Sequence, residues 1–201
     1  MSTEYWDTRY AEKEQMWSGE PNATLVRETA DLPPGTALDV GCGEGADAIW
    51  LARRGWNVTA VDVSQVALDR AAKLAAGVEV RWVRLDLATS FPDGTFDLVS
   101  AHFLHSEVEL PREEILRAAT SAVAPGGMLL IVGHAGFPPG EHGHHHEMGF
   151  PTPAEVLAGL DLPDGQWELL LSAEHERVQV MPDGHEGKRT DNTLKIRRLP
   201  R

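Results

Sequence analysis

The fold of this chain is decided by the stretch Ala37-Leu38-Asp39-Val40-Gly41-Cys42-Gly43-Glu44-Gly45-Ala46. An apolar run with one acidic residue is followed by three glycines at alternate positions, and a helical pattern begins after them. This order predicts a strand, a tight turn and the start of a helix. Glycine has no Cβ atom, so it allows positive φ angles and lets a ligand approach the main chain. We expect the unpaired N–H groups of the helix start to point into the same space.

The glycine spacing by itself leaves the ligand open. Gly41, Gly43 and Ala46 also satisfy the loose dinucleotide pattern G-x-G-x-x-G/A. A dinucleotide would place a doubly charged pyrophosphate at this turn, where the Asp39 carboxylate would repel it. Asp39 favours a ligand with an ammonium or a sulfonium group. S-adenosylmethionine carries both, so we predict it as the cofactor and Asp39 as one of its contacts.

The charge of the chain argues against nucleic acid as a partner. Lys and Arg number 18 against 31 Asp and Glu, which gives a net charge of −13. A surface this acidic repels phosphate backbones. We therefore expect a small-molecule partner.

Cysteine content and hydropathy bear on the location of the protein. Cys42 is the single cysteine, so no disulfide can form within the chain. The segment Met1-Ser2-Thr3-Glu4 lacks the features of a signal peptide, and no apolar run approaches the roughly 18 residues of a membrane span. We predict a cytoplasmic monomer or homodimer without a membrane partner.

Strand-like and helix-like patterns alternate along most of the chain. We predict strands over 36–40, 57–61, 78–83, 96–101 and 128–134, and helices over 22–30, 45–54, 64–76, 111–123 and 153–160. Such alternation indicates parallel crossovers. Strands over 167–181 and 192–199, joined by a turn at Pro182-Asp183-Gly184, predict a closing antiparallel hairpin. The predicted fold is α/β: a Rossmann-like, doubly wound, seven-stranded mixed sheet, mostly parallel, with helices on both faces.

The chain divides into an arm and one domain. We expect residues 1–21 to form an N-terminal arm or lid and residues 22–201 to form the domain. Residues 135–150 are rich in Gly, Pro and His and are predicted to form a long loop. A loop of this length in a compact domain is usually a lid or a binding segment, or else disordered.

Four segments make the chain resemble the class I S-adenosylmethionine-dependent methyltransferases over almost its whole length. They are Asp39-Val40-Gly41-Cys42-Gly43-Glu44-Gly45, Val61-Asp62-Val63-Ser64, Leu85-Asp86-Leu87, and the pair Phe96-Asp97-Leu98-Val99 with Pro125-Gly126-Gly127-Met128-Leu129. The N-terminal segments Trp6-Asp7-Thr8-Arg9-Tyr10 and Trp17-Ser18-Gly19-Glu20-Pro21-Asn22 are similar to the small bacterial branch of tellurite-resistance and thiopurine-type methyltransferases.

The resemblance implies a role for each motif. Asp62 would accept hydrogen bonds from the ribose hydroxyls, and Asp86 would accept one from the adenine amino group. The implied neighbours of the adenine ring are Val63 and Leu87. Main chain at Gly41 and Gly43 would approach the methionine part of the cofactor, with Cys42 as a small residue between them. Tyr10 and Trp17 would fold over the cofactor, although these aromatic side chains could equally be a hydrophobic seal.

Histidines mark the acceptor side of the predicted site. His102, His105 and His134 lie at the ends of the fourth and fifth strands, where a neutral imidazole could accept a proton from an alcohol, thiol or amine. They are our candidate catalytic residues, and hydrogen bonding at a helix start or in a loop is the alternative for each. His142, His144 and His146 could ligate a metal ion. Because they lack the spacing of a regular element, we predict no metal site.

The function predicted from these observations is direct, in-line methyl transfer from S-adenosylmethionine to a small-molecule acceptor. One alternative is a module that binds the cofactor without transferring its methyl group. Another is a nicotinamide-dependent oxidoreductase on a related fold. The motifs leave open whether the acceptor atom is oxygen, nitrogen, sulfur, selenium, tellurium or halide.

Overall fold

The structure is a computed structural model that describes residues 2–136, 149–180 and 186–200. The helices are α1 (Ser2–Ala11), α2 (Ala23–Thr29), α3 (Ala46–Arg53), α4 (Gln65–Leu74), α5 (Arg112–Ser121) and α6 (Pro153–Gly159). The strands are β1 (Thr36–Val40), β2 (Asn57–Asp62), β3 (Val80–Arg84), β4 (Phe96–His102), β5 (Val123–His134), β6 (Trp167–Val180) and β7 (Glu186–Arg198).

The seven strands form one sheet in the order β3-β2-β1-β4-β5-β7-β6. Strands β1 to β5 pair in parallel, and β7 pairs antiparallel with both β5 and β6. One face packs against α5 and α6 through Ile115, Leu116 and Val156, and the other packs against α2 and α3 through Leu25 and Leu51. The predicted doubly wound, mixed sheet is therefore confirmed.

Local signals in the sequence placed most element ends. Ser64 caps α4, since its Oγ accepts a hydrogen bond of 3.2 Å from the N–H of Ala67. Gly55 and Gly77 follow α3 and α4 with φ angles of 89° and 88°, which a left-handed helix stop requires. Asn22 stands at the N-cap of α2 but makes no side-chain cap there.

Three elements differ from the prediction. Residues 2–11 form a helix, which the sequence pattern did not reveal because α1 carries few apolar residues. β5 begins at Val123 rather than at Met128, because Val123 pairs with Phe96 before an irregularity in the register. β7 begins at Glu186 rather than at Asn192. The predicted turn at 182–184 lies outside the described residues, as does most of the loop at 135–150.

The hairpin of β6 and β7 extends past the sheet. β5 pairs with β7 only from His134 back to Met128, opposite Asp191 to Arg197. β7 residues 186–190 pair with β6 alone, at residues 176–180. This extension stands beyond the carboxyl end of β5. Within the described ranges, no helix is long and apolar enough to cross a membrane.

Candidate functional site

The candidate site lies at the carboxyl ends of the parallel strands. Strand order reverses between β1 and β4, and open α/β sheets bind ligands in the crevice at such a switch point. β1 ends at the glycine turn, β2 ends at Asp62 and β4 ends at His102. The fold therefore brings together side chains that are up to about 60 positions apart in the sequence.

The glycine turn adopts the conformation that its composition predicts. Gly41, Gly43 and Gly45 have φ angles of 73°, 53° and 79°. A Cβ atom at Gly45 would lie 2.5 Å from the ring of Trp82, and one at Gly43 would lie 2.8 Å from the hydroxyl of Tyr10. The glycines are thus required both by backbone angle and by close packing.

The N–H groups of this turn are largely engaged within the protein. Those of Gly41 and Cys42 both donate to the carbonyl of Val61 at 2.9 Å. That of Gly43 donates to Asp62 Oδ2 at 2.8 Å. A pyrophosphate site needs such groups free to point at the anion, so these three residues offer no anion cradle.

Asp39 lies buried beneath the turn with one unpartnered oxygen. Its side chain is 3% exposed, its Oδ1 accepts a long hydrogen bond of 3.4 Å from Ser100, and its Oδ2 has no partner among the described residues. Burial and the nearby charge of Asp47 raise the pKa of Asp39 to about 7. A buried acceptor without a donor is costly. A cationic donor such as an ammonium group fits this position, and an anion does not.

Asp62 keeps acceptor capacity. Its two oxygens accept hydrogen bonds from the N–H groups of Gly43 and Ser64, at 2.8 and 2.9 Å. An ionised carboxylate offers about four lone-pair sites, so two sites stay available to hydroxyl groups. Burial raises the pKa of Asp62, although these N–H groups oppose the shift.

A pair that sequence reasoning missed joins the first turn of α3 to the end of β4. Asp47 Oδ2 lies 2.6 Å from Nδ1 of His102, and Asp47 also accepts from the N–H and Nδ2 of Asn22. These partners lower the pKa of Asp47 in spite of its burial, so Nδ1 of His102 is the donor to an ionised carboxylate. The other ring nitrogen, Nε2, is buried and has no partner in the described part of the chain.

The N-terminal arm packs on the glycine turn. Tyr10 is buried, and its hydroxyl accepts a hydrogen bond of 3.2 Å from Nε1 of Trp17, which is 56% exposed. Glu44, inside the glycine motif, accepts from the N–H groups of Met16 and Trp17 and pairs with Arg70 at 2.9 Å. The arm is thus held by the motif itself, a link that the sequence did not suggest.

The other predicted cofactor contacts follow adjacent strands. Val63 comes after β2, and Asp86 and Leu87 come after β3. All three residues are half-buried. Asp86 Oδ1 accepts from the N–H of Ala88 at 3.0 Å. Cys42 is also half-buried, and desolvation together with Asp62 and Asp39 raises the pKa of its thiol. A thiol that stays protonated is a poor nucleophile.

His105 and His134, the other two candidate histidines, lie together at the ends of β4 and β5. Their rings stack with centroids 5.4 Å apart, and Phe103 stacks on His134 at 4.4 Å. Nδ1 of His134 pairs at 3.0 Å with Asp191, which is 1% exposed and also pairs with Arg177. His102 pairs with Asp47 instead. No group of three metal-ligating side chains occurs in residues 2–136, 149–180 and 186–200, and His142, His144 and His146 lie outside them.

The neutral forms of these two rings follow from their surroundings. Burial lowers the pKa of His105 to about 4, and His134, Arg112 and Arg189 reinforce the shift. Nε2 of His105 accepts from the N–H of His134 at 3.3 Å, so its proton is on Nδ1. Burial also lowers the pKa of His134, against the effect of Asp191. Its proton is on Nδ1, toward Asp191, which leaves a lone pair on Nε2.

Known proteins are similar to this chain in sequence and in fold. Residues 37–127 match a family described as a methyltransferase domain. An uncharacterised methyltransferase of Mycobacterium tuberculosis is 40% identical over 122 residues, 59% of this chain and 61% of that protein. This chain thus matches less than two thirds of that relative's length.

Two further similarities extend over more of the chain. A ubiquinone biosynthesis O-methyltransferase of Xanthomonas euvesicatoria is 30% identical over 190 residues, which cover 82% of this chain and 78% of that enzyme. One similar solved structure is described by the conversion of a disulfide bond into a thioacetal group during echinomycin biosynthesis. Its TM-score is 0.77 at 23% sequence identity, and the match covers 99% of this chain and 92% of that chain. With the sheet order and the glycine and acidic motifs in place, the chain belongs to the class I S-adenosylmethionine-dependent methyltransferases.

Proposed function

We propose that this protein transfers the methyl group of S-adenosylmethionine to a small-molecule acceptor. The observation that carries the proposal is the unpartnered, buried oxygen of Asp39 beneath a turn whose N–H groups are engaged elsewhere. This combination favours a cationic ligand over a pyrophosphate. When bound, the cofactor supplies a methyl group already activated on a sulfonium, so the protein has to align the partners and exclude water.

The residues that would hold the cofactor lie on β1, β2, β3 and the arm. Asp39 would accept from the ammonium group, and Asp62 would accept from the ribose hydroxyls with its two remaining lone-pair sites. Asp86 would accept from the adenine amino group between Val63 and Leu87. The main chain from Gly41 to Gly43, including Cys42, would form the floor of the methionine part. Tyr10 and Trp17, which already contact each other above Gly43, would close the site.

We propose a different role for each of the three candidate histidines. We propose His134 as the general base for a neutral acceptor, because Asp191 orients it with a free lone pair on Nε2. His105 would act as a donor, since its Nε2 already accepts from the main chain. His102 would be a positioning residue that fixes Asp47 and the start of α3 against β4.

The chain also supports proposals on its setting. We propose the arm at 1–21 as a lid on a domain formed by residues 22–201. We propose a cytoplasmic location, because a single cysteine suits a reducing compartment. A charge of −13 disfavours a nucleic-acid substrate. A monomer or a homodimer is our expectation for the oligomeric state.

Two measurements test the proposed function. Calorimetric titration should show binding of S-adenosylhomocysteine and none of NADH, and preferential binding of NADH would refute the cofactor assignment. Incubation of S-adenosylmethionine with a panel of hydroxyl, amine and thiol acceptors should then release S-adenosylhomocysteine. Tight binding without turnover on any acceptor would favour a binding module instead.

A further inference from the structure

Arg112 is a half-buried cation that has no partner among the described residues. It opens α5, and neither a hydrogen bond nor an ion pair reaches its guanidinium from the described residues. Its Nε atom is fully buried and unpartnered. Burial accordingly lowers the pKa of Arg112. Arg70 is also half-buried, but its charge is paired: its guanidinium donates to Glu44 and to the carbonyls of Tyr10 and Lys13.

An internal cavity lies against Arg112. Its volume is about 10 Å³, and it is lined by His105, Arg112, Gly133, His134 and Asn192, together with apolar residues of β5, β7 and α6. This is the space of about one water molecule or one oxygen atom. Oδ1 of Asn192 is buried there and also lacks a partner among the described residues. Polar groups that do not pair with one another thus line a space of about one atom.

The surroundings of this cavity are positively charged. Arg112, Arg189 and His134 all act on the ring of His105, and Asp191 is the opposing charge. Arg177 also contributes, 5.5 Å above the ring of Phe103 and paired with Asp191. Several cationic side chains thus lie beside this cavity, in a chain whose net charge is −13.

We propose that Arg112 and the Nδ1–H of His105 bind an acidic oxygen group of the methyl acceptor, a carboxylate or an ionised phenol. The proposal rests on the proposed function and names the substrate class for the same site. A guanidinium and a neutral imidazole N–H provide donors at this position. Oδ1 of Asn192 is the one unpartnered acceptor that the described residues add to them, so the lining favours an anionic oxygen group over an ammonium or guanidinium group. The neighbouring His134 then lies close enough to take a proton from a second group of the same small molecule.

Stability gives an independent reason to assign Arg112 to ligand binding. A buried cation without a partner destabilises the folded state, so selection for stability alone would favour an apolar side chain at this position. Arg112→Met retains most of the apolar stem and removes the charge. We expect its melting temperature to equal or exceed that of the wild type, whereas loss of a structural arginine would lower it.

The test uses benzoate and its neutral isostere benzamide as probes, titrated into the full chain saturated with S-adenosylhomocysteine. The readout is the ring resonances of His105 and His134 in heteronuclear NMR spectra. In the wild type, benzoate should shift the His105 resonances and benzamide should not. Arg112→Met should weaken benzoate binding about 10- to 100-fold, the loss of one or two charge-assisted hydrogen bonds. Arg112→Lys should retain part of the affinity.

Arg81→Gln is the matched control, because Arg81 is an exposed arginine on β3, across the sheet from α5. It should bind benzoate like the wild type. The proposal is overturned if benzoate does not bind to the wild type, if it binds equally to Arg112→Met, or if benzamide binds as well as benzoate. Failure of S-adenosylhomocysteine to bind would overturn the proposed function instead, so the two failures are distinguishable.

Discussion

Asp39→Asn should stabilise the folded protein by an amount that increases as pH rises. It should also weaken binding of the cofactor. The Asp39 carboxylate is buried, and His102, Asp47, Asp62 and Ser100 are the polar groups that act on it. Of these, Asp47 and Asp62 oppose its ionisation, and His102 and Ser100 favour it. The net result, with desolvation as the largest cause, is a pKa of about 7 against an ordinary value of 3.8.

The sign of the effect follows from proton linkage. Between pH 3.8 and about 7 the unfolded chain has lost the Asp39 proton while the folded chain retains it. The folded state therefore binds more protons, and the free energy of unfolding falls as pH rises. At 1.36 kcal/mol per pKa unit, wild-type Asp39 costs about 2 kcal/mol at pH 5 and about 4 kcal/mol at pH 8. Asparagine does not ionise, so its advantage should grow by about 2 to 3 kcal/mol between these two pH values.

Urea unfolding of both proteins at pH 5, 6, 7 and 8 measures this difference directly. The asparagine amide would also lack a partner at the position that Oδ2 of Asp39 occupies. The absolute difference in stability between the two proteins is therefore not diagnostic, but its change with pH is. Asp93→Asn, which removes an exposed carboxylate, controls for the change in net charge. Parallel curves for wild type and Asp39→Asn would refute the assignment of a buried, proton-binding carboxyl group. Calorimetry of the variant should also show weaker binding of S-adenosylhomocysteine, whose ammonium would lose its acceptor.

Three further substitutions test the site. Asp62→Ala should weaken binding of S-adenosylhomocysteine by about 1.5–3 kcal/mol, the contribution of hydrogen bonds to a charged group, and an unchanged affinity in calorimetry would place the ribose elsewhere. Glu44→Ala removes the acceptor for the N–H groups of Met16 and Trp17, so limited proteolysis should cleave the arm faster while cofactor affinity falls, and an arm that stays protected would contradict this role. His134→Gln should lower kcat for a hydroxyl acceptor and spare a thiolate. The wild-type rate with the hydroxyl acceptor should decline only below pH 6.5, because burial lowers the pKa of His134. If His134→Gln lowers kcat equally for the hydroxyl and the thiolate acceptor, His134 is not a general base.

The fold was predictable where a local pattern carried it. β1, β2 and β4 are short apolar runs, and serine and glycine mark the ends of α4, so their bounds agree with the prediction within a few residues. The missed elements lack such a pattern. The extra residues of β7, Glu186 to Asp191, are mostly polar because this part pairs with β6 beyond the edge of β5. Helix α1 is held by tertiary contacts, such as the pairing of Asp7 with Ser64, and these leave no periodic signal.

The candidate site was predictable in its motifs but not in its pairs. The glycine turn, Asp62 and the histidines are recognisable from their positions at strand ends. The roles of three other residues are not recognisable in this way. Asp47 and Asp191 obtain theirs from partners distant in sequence, and Arg112 obtains its role from the lack of a partner among the described residues. Asp47 lies 55 positions from His102, and Asp191 lies 57 positions from His134. A single sequence contains no signal for such contacts.

The two histidine–carboxylate pairs divide the carboxyl edge of the sheet into ends of opposite charge. Asp39, Asp47 and Asp62 surround the ends of β1 and β2, whereas Arg112 and Arg189 lie near the end of β5 and the start of β7. A cationic ligand is therefore favoured near β1 and β2 and disfavoured near β5 and β7, and the reverse holds for an anionic ligand. This distribution of charge orients both ligands before any contact forms. The distribution of charge along this edge thus supports an acidic acceptor for the same physical reason that Asp39 supports a cationic cofactor.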